Sequence, residues 1–265
     1  MFRKVIAVVG LLFITVNISY ADTCSAEDFT VSVSGESECL AMRRFGNPEP
    51  DTLIVWLHGD VSSGGPANYH FSAAEGVAKR LSDKKVMSVA LVRPGYPDGF
   101  GNQSSVADSQ SGRLDHYTKE NLNEVGVAIE RLQTKFRPKK TFIVGHSGGA
   151  ATAAVLLGLK PNLVDGAVLV ACPCDLVAWR TGRRAWQRSE DPLLWADKVS
   201  ATSRVIAITG GRDDNTGPVL AQTYVNLLVT RKVAAEFRLL PYETHNSAFA
   251  SREVVKAVTD LVEGK

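Results

Sequence analysis

Short blocks of apolar, β-branched residues alternate along the chain with longer stretches whose apolar positions recur every three or four residues. Thr52 to Leu57 (TLIVWL) is apolar after its first residue, and Met87 to Val92, Thr141 to Val144, Gly166 to Ala171, Arg204 to Thr209 and Ala235 to Leu240 have the same character. Runs of this length, bounded by turn residues, predict strands buried on both faces. Between them, Ser72 to Leu81 puts Ala73, Val77 and Leu81 on one stripe, and Glu120 to Phe136 turns Leu122, Val125, Ile129 and Leu132 inward. Such spacing predicts helices with one apolar face. Ala150 to Leu157, Pro218 to Thr230 and Ser247 to Val262 complete the helical set. Strands alternating with helices predict an α/β fold, with a mostly parallel central sheet and helices on both faces. Phe29 to Val33 and the segment around Leu40 to Phe45 instead alternate apolar and polar residues, and predict antiparallel edge strands.

The N-terminus changes the picture of where this fold works. Arg3 and Lys4 precede an apolar stretch from Val5 to Val16, and Ser19-Tyr20-Ala21 supplies a small-x-small cleavage site. This pattern predicts a signal peptide over residues 1–21 and an exported chain, secreted or periplasmic. About twelve apolar residues are short for a membrane anchor. Residues 22–265 are then expected to form a single α/β domain. The formal net charge of +2 is too mild to point to nucleic acid or an anionic membrane. Four cysteines in an exported chain point to oxidation. Cys24 and Cys39 flank a polar segment and are expected to pair, closing a loop of about 15 residues worth roughly 3 kcal/mol. Cys172 and Cys174 are separated only by Pro173, and either a local disulfide or pairing elsewhere fits the sequence. No metal site and no cofactor is implied.

Candidate chemistry concentrates just after the predicted strands, where ligands bind in sheets of this kind. Thr141 to Val144 is followed by Gly145-His146-Ser147-Gly148-Gly149 and then by a run of helix formers. Strand, tight turn and helix are the context in which G-x-S-x-G carries a nucleophilic serine. His58-Gly59-Asp60 follows Thr52–Leu57, Gly210-Gly211-Arg212-Asp213-Asp214-Asn215 follows Arg204–Thr209, and Pro241-Tyr242-Glu243-Thr244-His245 follows Ala235–Leu240. A hydroxyl, a carboxylate and an imidazole therefore share one rim, in the order Ser147, Asp213, His245.

At these positions the chain resembles the α/β-hydrolase superfamily, over nearly all of residues 22–265. The serine turn, the H-G loop, the acid after the penultimate strand and the histidine after the last one all match, and Asp213 and His245 lie 32 residues apart, room for one helix and one strand. G-G-R-D-D-N is similar to the acid loop of prolyl-oligopeptidase-like and dipeptidyl-peptidase-like members, and Arg93-Pro94-Gly95-Tyr96 to a loop common in the superfamily. The resemblance implies Ser147 as nucleophile, His245 as general base and Asp213 as the acid that orients it, with Asp214 a neighbour. It also implies an oxyanion hole from the backbone N–H groups of Gly148 and Asp60, with Val61 as the alternative second donor. The Asp60 carboxylate is tolerable there only if it turns away, and His58 reads as structural. Residues 174–200 stand where many α/β-hydrolases insert a cap. Trp179, Trp186, Trp195 and four arginines there suit a small lid, but Trp179 and Trp186 are seven residues apart, which favours one helical face packed on the body.

The function this implies is a secreted serine hydrolase acting on small carboxylic esters through an acyl-enzyme. A serine peptidase or aminopeptidase-like activity uses the same machinery, and a non-catalytic binding protein on a hydrolase scaffold is a third reading. The expected partner is a small-molecule ester or short peptide, with no nucleic acid and no stable membrane association; the pattern does not address oligomeric state.

Overall fold

Along β3 (Thr52–Leu57) successive side chains enter two different cores. Leu53, Val55 and Leu57 face one apolar cluster, whereas Ile54 and Trp56 face the other. A strand's side chains alternate between faces, so a strand covered on both sides must be apolar throughout. The computed structural model describes residues 24, 25, 27–62, 64–106 and 116–265. In chain order they form β1 (Ser32–Ser34), β2 (Cys39–Gly46), β3, α1 (His70–Arg80), β4 (Val86–Leu91), α2 (Lys119–Phe136), β5 (Lys140–His146), α3 (Gly148–Leu159) and β6 (Gly166–Val170). Then follow α4 (Leu176–Trp179), α5 (Pro192–Trp195), β7 (Arg204–Gly210), α6 (Pro218–Thr230), β8 (Ala234–Leu240), α7 (His245–Phe249) and α8 (Arg252–Glu263).

The eight strands make one sheet in the order β1-β2-β4-β3-β5-β6-β7-β8. β2 pairs antiparallel with both β1 and β4, and every other pairing is parallel. Helices α2, α3 and α6 supply the core on one face, and α1 and α8 the core on the other. The far edge strand, β8, is guarded by charge: Arg238 pairs with Glu236 of its own strand and with Glu253 and Asp260 of α8, which discourages edge-to-edge pairing.

The mostly parallel sheet with helices on both faces is as the periodicity predicts, and the departures have local causes. The first strand starts three residues late. The Asp28 carboxylate accepts the N–H groups of Thr30 and Val31, and Phe29 has φ 56°, so the backbone turns before it can pair. The helix expected over Ser247–Val262 is two helices. Thr244 and Ser247 form a reciprocal cap that starts α7 already at His245, and Ser251 is extended (ψ 153°), which breaks the run. The break turns Phe249 inward against Trp56 (ring centroids 6.3 Å) while α8 lies along the sheet. Trp179 and Trp186 do not share a helix either. α4 ends at Trp179, the chain reverses through Gly182 (φ 73°), and the two indoles meet edge to face at 5.1 Å.

Cys24 pairs with Cys39, and Cys172 with Cys174 across Pro173. The predicted signal peptide, residues 1–21, lies outside the described residues. Among the described residues no helix is long and apolar enough to cross a membrane.

Candidate active site

The chain runs from β3 to β4 on one side of the sheet and then places β5 on the other side of β3. Loops leaving β3 and β5 therefore diverge, and a crevice opens between them at the C-terminal ends of the strands. The β5 loop is a one-residue elbow. Ser147 takes φ 51° and ψ −117° between the last residue of β5 and the first of α3, a conformation that costs about 1–3 kcal/mol in a residue with a Cβ. The Ser147 N–H donates to the Val170 carbonyl of β6 at 2.8 Å, which holds the bend. Glycine is required on both sides: a Cβ on Gly145 would stand 2.3 Å from the Gly149 carbonyl oxygen, and one on Gly149 the same distance from that of Leu57. Ser147 Oγ has no hydrogen-bond partner among the described residues.

β7 and β8 deliver the acid and the base. Asp213 follows β7, and its Oδ2 accepts from His245 Nδ1 at 2.9 Å. Oδ1 accepts the N–H groups of Asn215 (3.0 Å) and Thr216 (2.8 Å). Burial raises the Asp213 carboxyl pKa, but the bonds from His245 and Thr216 outweigh it and hold the group below the usual carboxylate range. Asp214 is exposed, and the carboxylate bonded to His245 is that of Asp213. The Thr216 hydroxyl is 2.9 Å from both Asp213 Oδ2 and the Ala171 carbonyl, and 3.0 Å from His245 Nδ1. It ties the acid–base pair to the loop after β6.

Asp60 lines the same groove, and its carboxylate is held by three partners. Its Oδ1 accepts from the Arg93 guanidinium and from Tyr96 (3.3 Å), and its Oδ2 from Tyr117 Oη at 2.6 Å. Burial works against the charge on Arg93, but Asp60 beside it keeps the guanidinium protonated. The network closes on the elbow: a Cβ on Gly148 would lie 2.5 Å from Asp60 Oδ1 and 2.7 Å from Arg93 Nη1. The Gly148 N–H opens α3, so it has no helical acceptor. The Asp60 N–H has no acceptor among the described residues, whereas the Gly59 N–H is taken by Tyr69 Oη. His58 is fully buried: its Nε2 accepts from the Arg93 N–H (2.9 Å), so Nδ1 carries the proton and donates to the Gly59 carbonyl at 2.7 Å.

Tyr69 Oη also donates to His146 Nδ1 at 2.7 Å, and His146 Nε2 donates to the His245 backbone carbonyl at 3.1 Å. Burial first, and the adjacent His245 second, push the His146 pKa down to about 4, so this imidazole stays neutral and links the Gly59 loop to the start of α7. Ser147, His146 and His245 line a groove of about 1710 Å³ together with Asp60, Tyr69, Trp179, Arg180, Arg183 and Trp186. Trp179 and Trp186 of the cap segment thus pack on each other and line the groove as well, whereas Trp195 packs on the core. Among the described residues, no group of three His, Cys, Asp or Glu side chains could hold a metal ion.

The profile of the alpha/beta hydrolase family matches residues 54–257, from within β3 to within α8. The chain belongs to the alpha/beta hydrolase family. No curated protein matches it in sequence. Among solved structures, an acylaminoacyl peptidase from Pyrococcus horikoshii is similar at a TM-score of 0.64 and 12% identity, over 85% of this chain but 39% of that one. An esterase from Pyrococcus furiosus aligns at 0.62 and 13% identity, over 90% of each chain. Est1E from Butyrivibrio proteoclasticus with ferulic acid bound aligns at 0.66 and 15%, over 88% of this chain and 99% of that one. At such identities these likenesses concern the fold.

Within this alpha/beta hydrolase, Ser147, His245 and Asp60 line one groove, Asp213 is bonded to His245, and Gly148 lies against the Asp60 carboxylate. The sequence reading did not single out Thr216, Tyr69 or His146 as supports. Thr216 sits three residues after Asp213, a spacing at which a threonine hydroxyl commonly bonds back to an aspartate, so it had a local signal. Tyr69 had none, because its partners are brought to it only by the fold.

Proposed function

We propose that this alpha/beta hydrolase is a serine hydrolase that cleaves small carboxylic esters through an acyl-enzyme on Ser147. The observation that carries this reading is the 2.9 Å bond from His245 Nδ1 to Asp213 Oδ2, in the groove that also holds the serine elbow. With the Nδ1 proton held by Asp213, His245 presents Nε2 as an acceptor. Ser147 Oγ, free of other partners, rotates toward it, gives up its proton and attacks the ester carbonyl. The negative charge that develops on the carbonyl oxygen is received by the N–H groups of Gly148 and Asp60. His245 returns the proton to the departing alcohol, and a water activated in the same way releases the acid and regenerates Ser147.

Ester chemistry is favoured because the similar esterase from Pyrococcus furiosus is matched over 90% of its length, whereas the peptidase is matched over 39% of its length. The G-G-R-D-D-N acid loop favours the peptidase as the second reading. Two disulfides accord with export to an oxidising compartment, secreted or periplasmic, after loss of residues 1–21. Residues 22–265 then act as one domain, with residues 174–200 as its small cap.

The test is labelling with a fluorophosphonate probe and turnover of acyl-chain esters beside aminoacyl amides. Labelling at Ser147, lost in Ser147→Ala, and faster turnover of esters are expected. Labelling that survives the substitution removes Ser147 as nucleophile, and faster turnover of amides makes the enzyme a peptidase.

A further inference from the structure

The cap segment carries two cations whose charge nothing in the fold balances. Arg180 and Arg183 line the groove with Ser147 and His245, and neither has an ion-pair partner among the described residues. Arg80 and Arg252 also line the groove without an ion-pair partner among the described residues, but outside the cap, and the remaining charged side chains on the wall are matched. Asp60 is held by Arg93 and Tyr117, Glu253 by Arg238, and Lys256 by Asp260. The wall of the cap is therefore positive, with no internal counter-charge.

Both arginines are fixed relative to the candidate triad. Trp179 Nε1 donates to the Asn215 carbonyl at 2.9 Å, and Arg183 Nη1 to Asn215 Oδ1 at 3.4 Å. Asn215 is two residues beyond Asp213, so the cap is pinned to the acid loop itself. Arg180 lies over the rings of Trp179 and Trp186, 5.3 and 5.1 Å from their centroids, and its Nε donates to the Arg184 carbonyl at 2.9 Å. Those contacts orient the guanidinium but do not neutralise it, and they leave its two terminal nitrogens for an anion. Tyr117 stands behind Trp186, with ring centroids 5.2 Å apart, which gives the aromatic floor a buried support.

We propose that Arg180 and Arg183 form a carboxylate-binding subsite over the Trp179–Trp186 pair, so that the favoured substrates are esters bearing a carboxylate on an aromatic or apolar body. This rests on the ester-hydrolase reading for turnover, but the binding of the anion does not depend on catalysis. The apolar body lies on the indoles, and the carboxylate meets the guanidinium forks of partly buried Arg180 and exposed Arg183 through charge-assisted bonds.

Matched substrate pairs test it. Phenyl acetate against 4-acetoxybenzoate places the carboxylate on the leaving group, and 4-nitrophenyl butyrate against 4-nitrophenyl hydrogen glutarate places it on the acyl group. In at least one pair, kcat/KM is expected to be at least about tenfold higher for the anion, mainly through KM, and to fall as salt is raised. Arg180→Gln/Arg183→Gln should bring that ratio close to one. Arg231→Gln, the same charge change on the exposed end of α6, should keep the wild-type ratio. A second arm uses Ser147→Ala and tryptophan fluorescence to compare binding of 4-acetoxybenzoate with that of 4-acetoxybenzamide. Tighter binding of the anion, lost on replacing the two arginines, supports the subsite even if no ester is turned over, which would sink only the hydrolase reading. Neutral members favoured in both pairs, or a preference unchanged in the double arginine variant, would overturn the proposal.

Discussion

His70 and His146 are buried in their neutral form, and mild acid should therefore destabilise this protein above the pH at which its carboxylates titrate. His70 is fully buried with Nε2 on the Leu91 carbonyl at 3.1 Å, and its Nδ1 has no partner. Burial pushes its pKa down to about 3. Burial and the neighbouring His245 push that of His146 down to about 4. An unfolded chain would protonate both near pH 6.5. Between those limits the unfolded state binds more protons than the folded one, so stability rises with pH in this window and is lost as pH falls from 6.5 toward 4. Each group contributes about 1.4 kcal/mol per pH unit, which puts the loss at pH 5 near 2 kcal/mol for each and about 4 kcal/mol together. That is a large part of a typical total of about 5–15 kcal/mol. Asp213, whose pKa is lowered, adds its own loss only at lower pH. Urea unfolding followed by circular dichroism at pH 7.5, 6.5, 5.5 and 5, at constant ionic strength, reads the slope directly. His70→Gln keeps an N–H for the Leu91 carbonyl but cannot take a proton, so its slope should be lower than that of the wild type by about 1.4 kcal/mol per pH unit, whatever its absolute stability. Equal slopes in the two proteins, or a wild-type stability flat across this range, would refute the reasoning.

Asp213→Asn should lower kcat by about 10⁴-fold, because the amide no longer holds the imidazole in its reactive tautomer, while exposed Asp214→Asn should stay within a few-fold; ester turnover by the two variants decides between them, and a reversed order would move the acid by one residue. Tyr69→Phe leaves the Gly59 N–H and His146 Nδ1 without their shared partner. It should destabilise the fold by about 1–3 kcal/mol and lower kcat more than it changes KM, measurable by urea unfolding and steady-state kinetics; wild-type values in both would mean that this link neither supports the fold nor positions the crevice.

What the sequence determined by itself was whatever depends on neighbours along the chain. A strand covered on both faces needs no polar position, so TLIVWL could be read as central without knowing what covers it. The elbow was legible because Gly145 and Gly149 meet backbone atoms within their own strand–turn–helix unit and in the adjacent β3 strand. The Cys24–Cys39 pairing followed from a polar loop closed by two half-cystines. Helix ends were less legible: the break at Ser251 comes from a Thr–Ser cap and from the pull of Phe249 toward Trp56, and the second is a contact with a strand almost two hundred positions away.

Tertiary structure alone decided the rest. Strand order put β3 and β5 side by side and opened the crevice between their loops. It decided that the Asp60 carboxylate is held by Arg93 and Tyr117, and that Tyr69 rather than an oxyanion receives the Gly59 N–H. It also decided that Cys172 closes on Cys174 and that Trp179 and Trp186 meet through a turn and not along a helix. These contacts join residues far apart in sequence or depend on the direction of a loop. Periodicity carries no record of either, because a hydrogen bond across the fold constrains two positions and leaves the pattern between them unchanged.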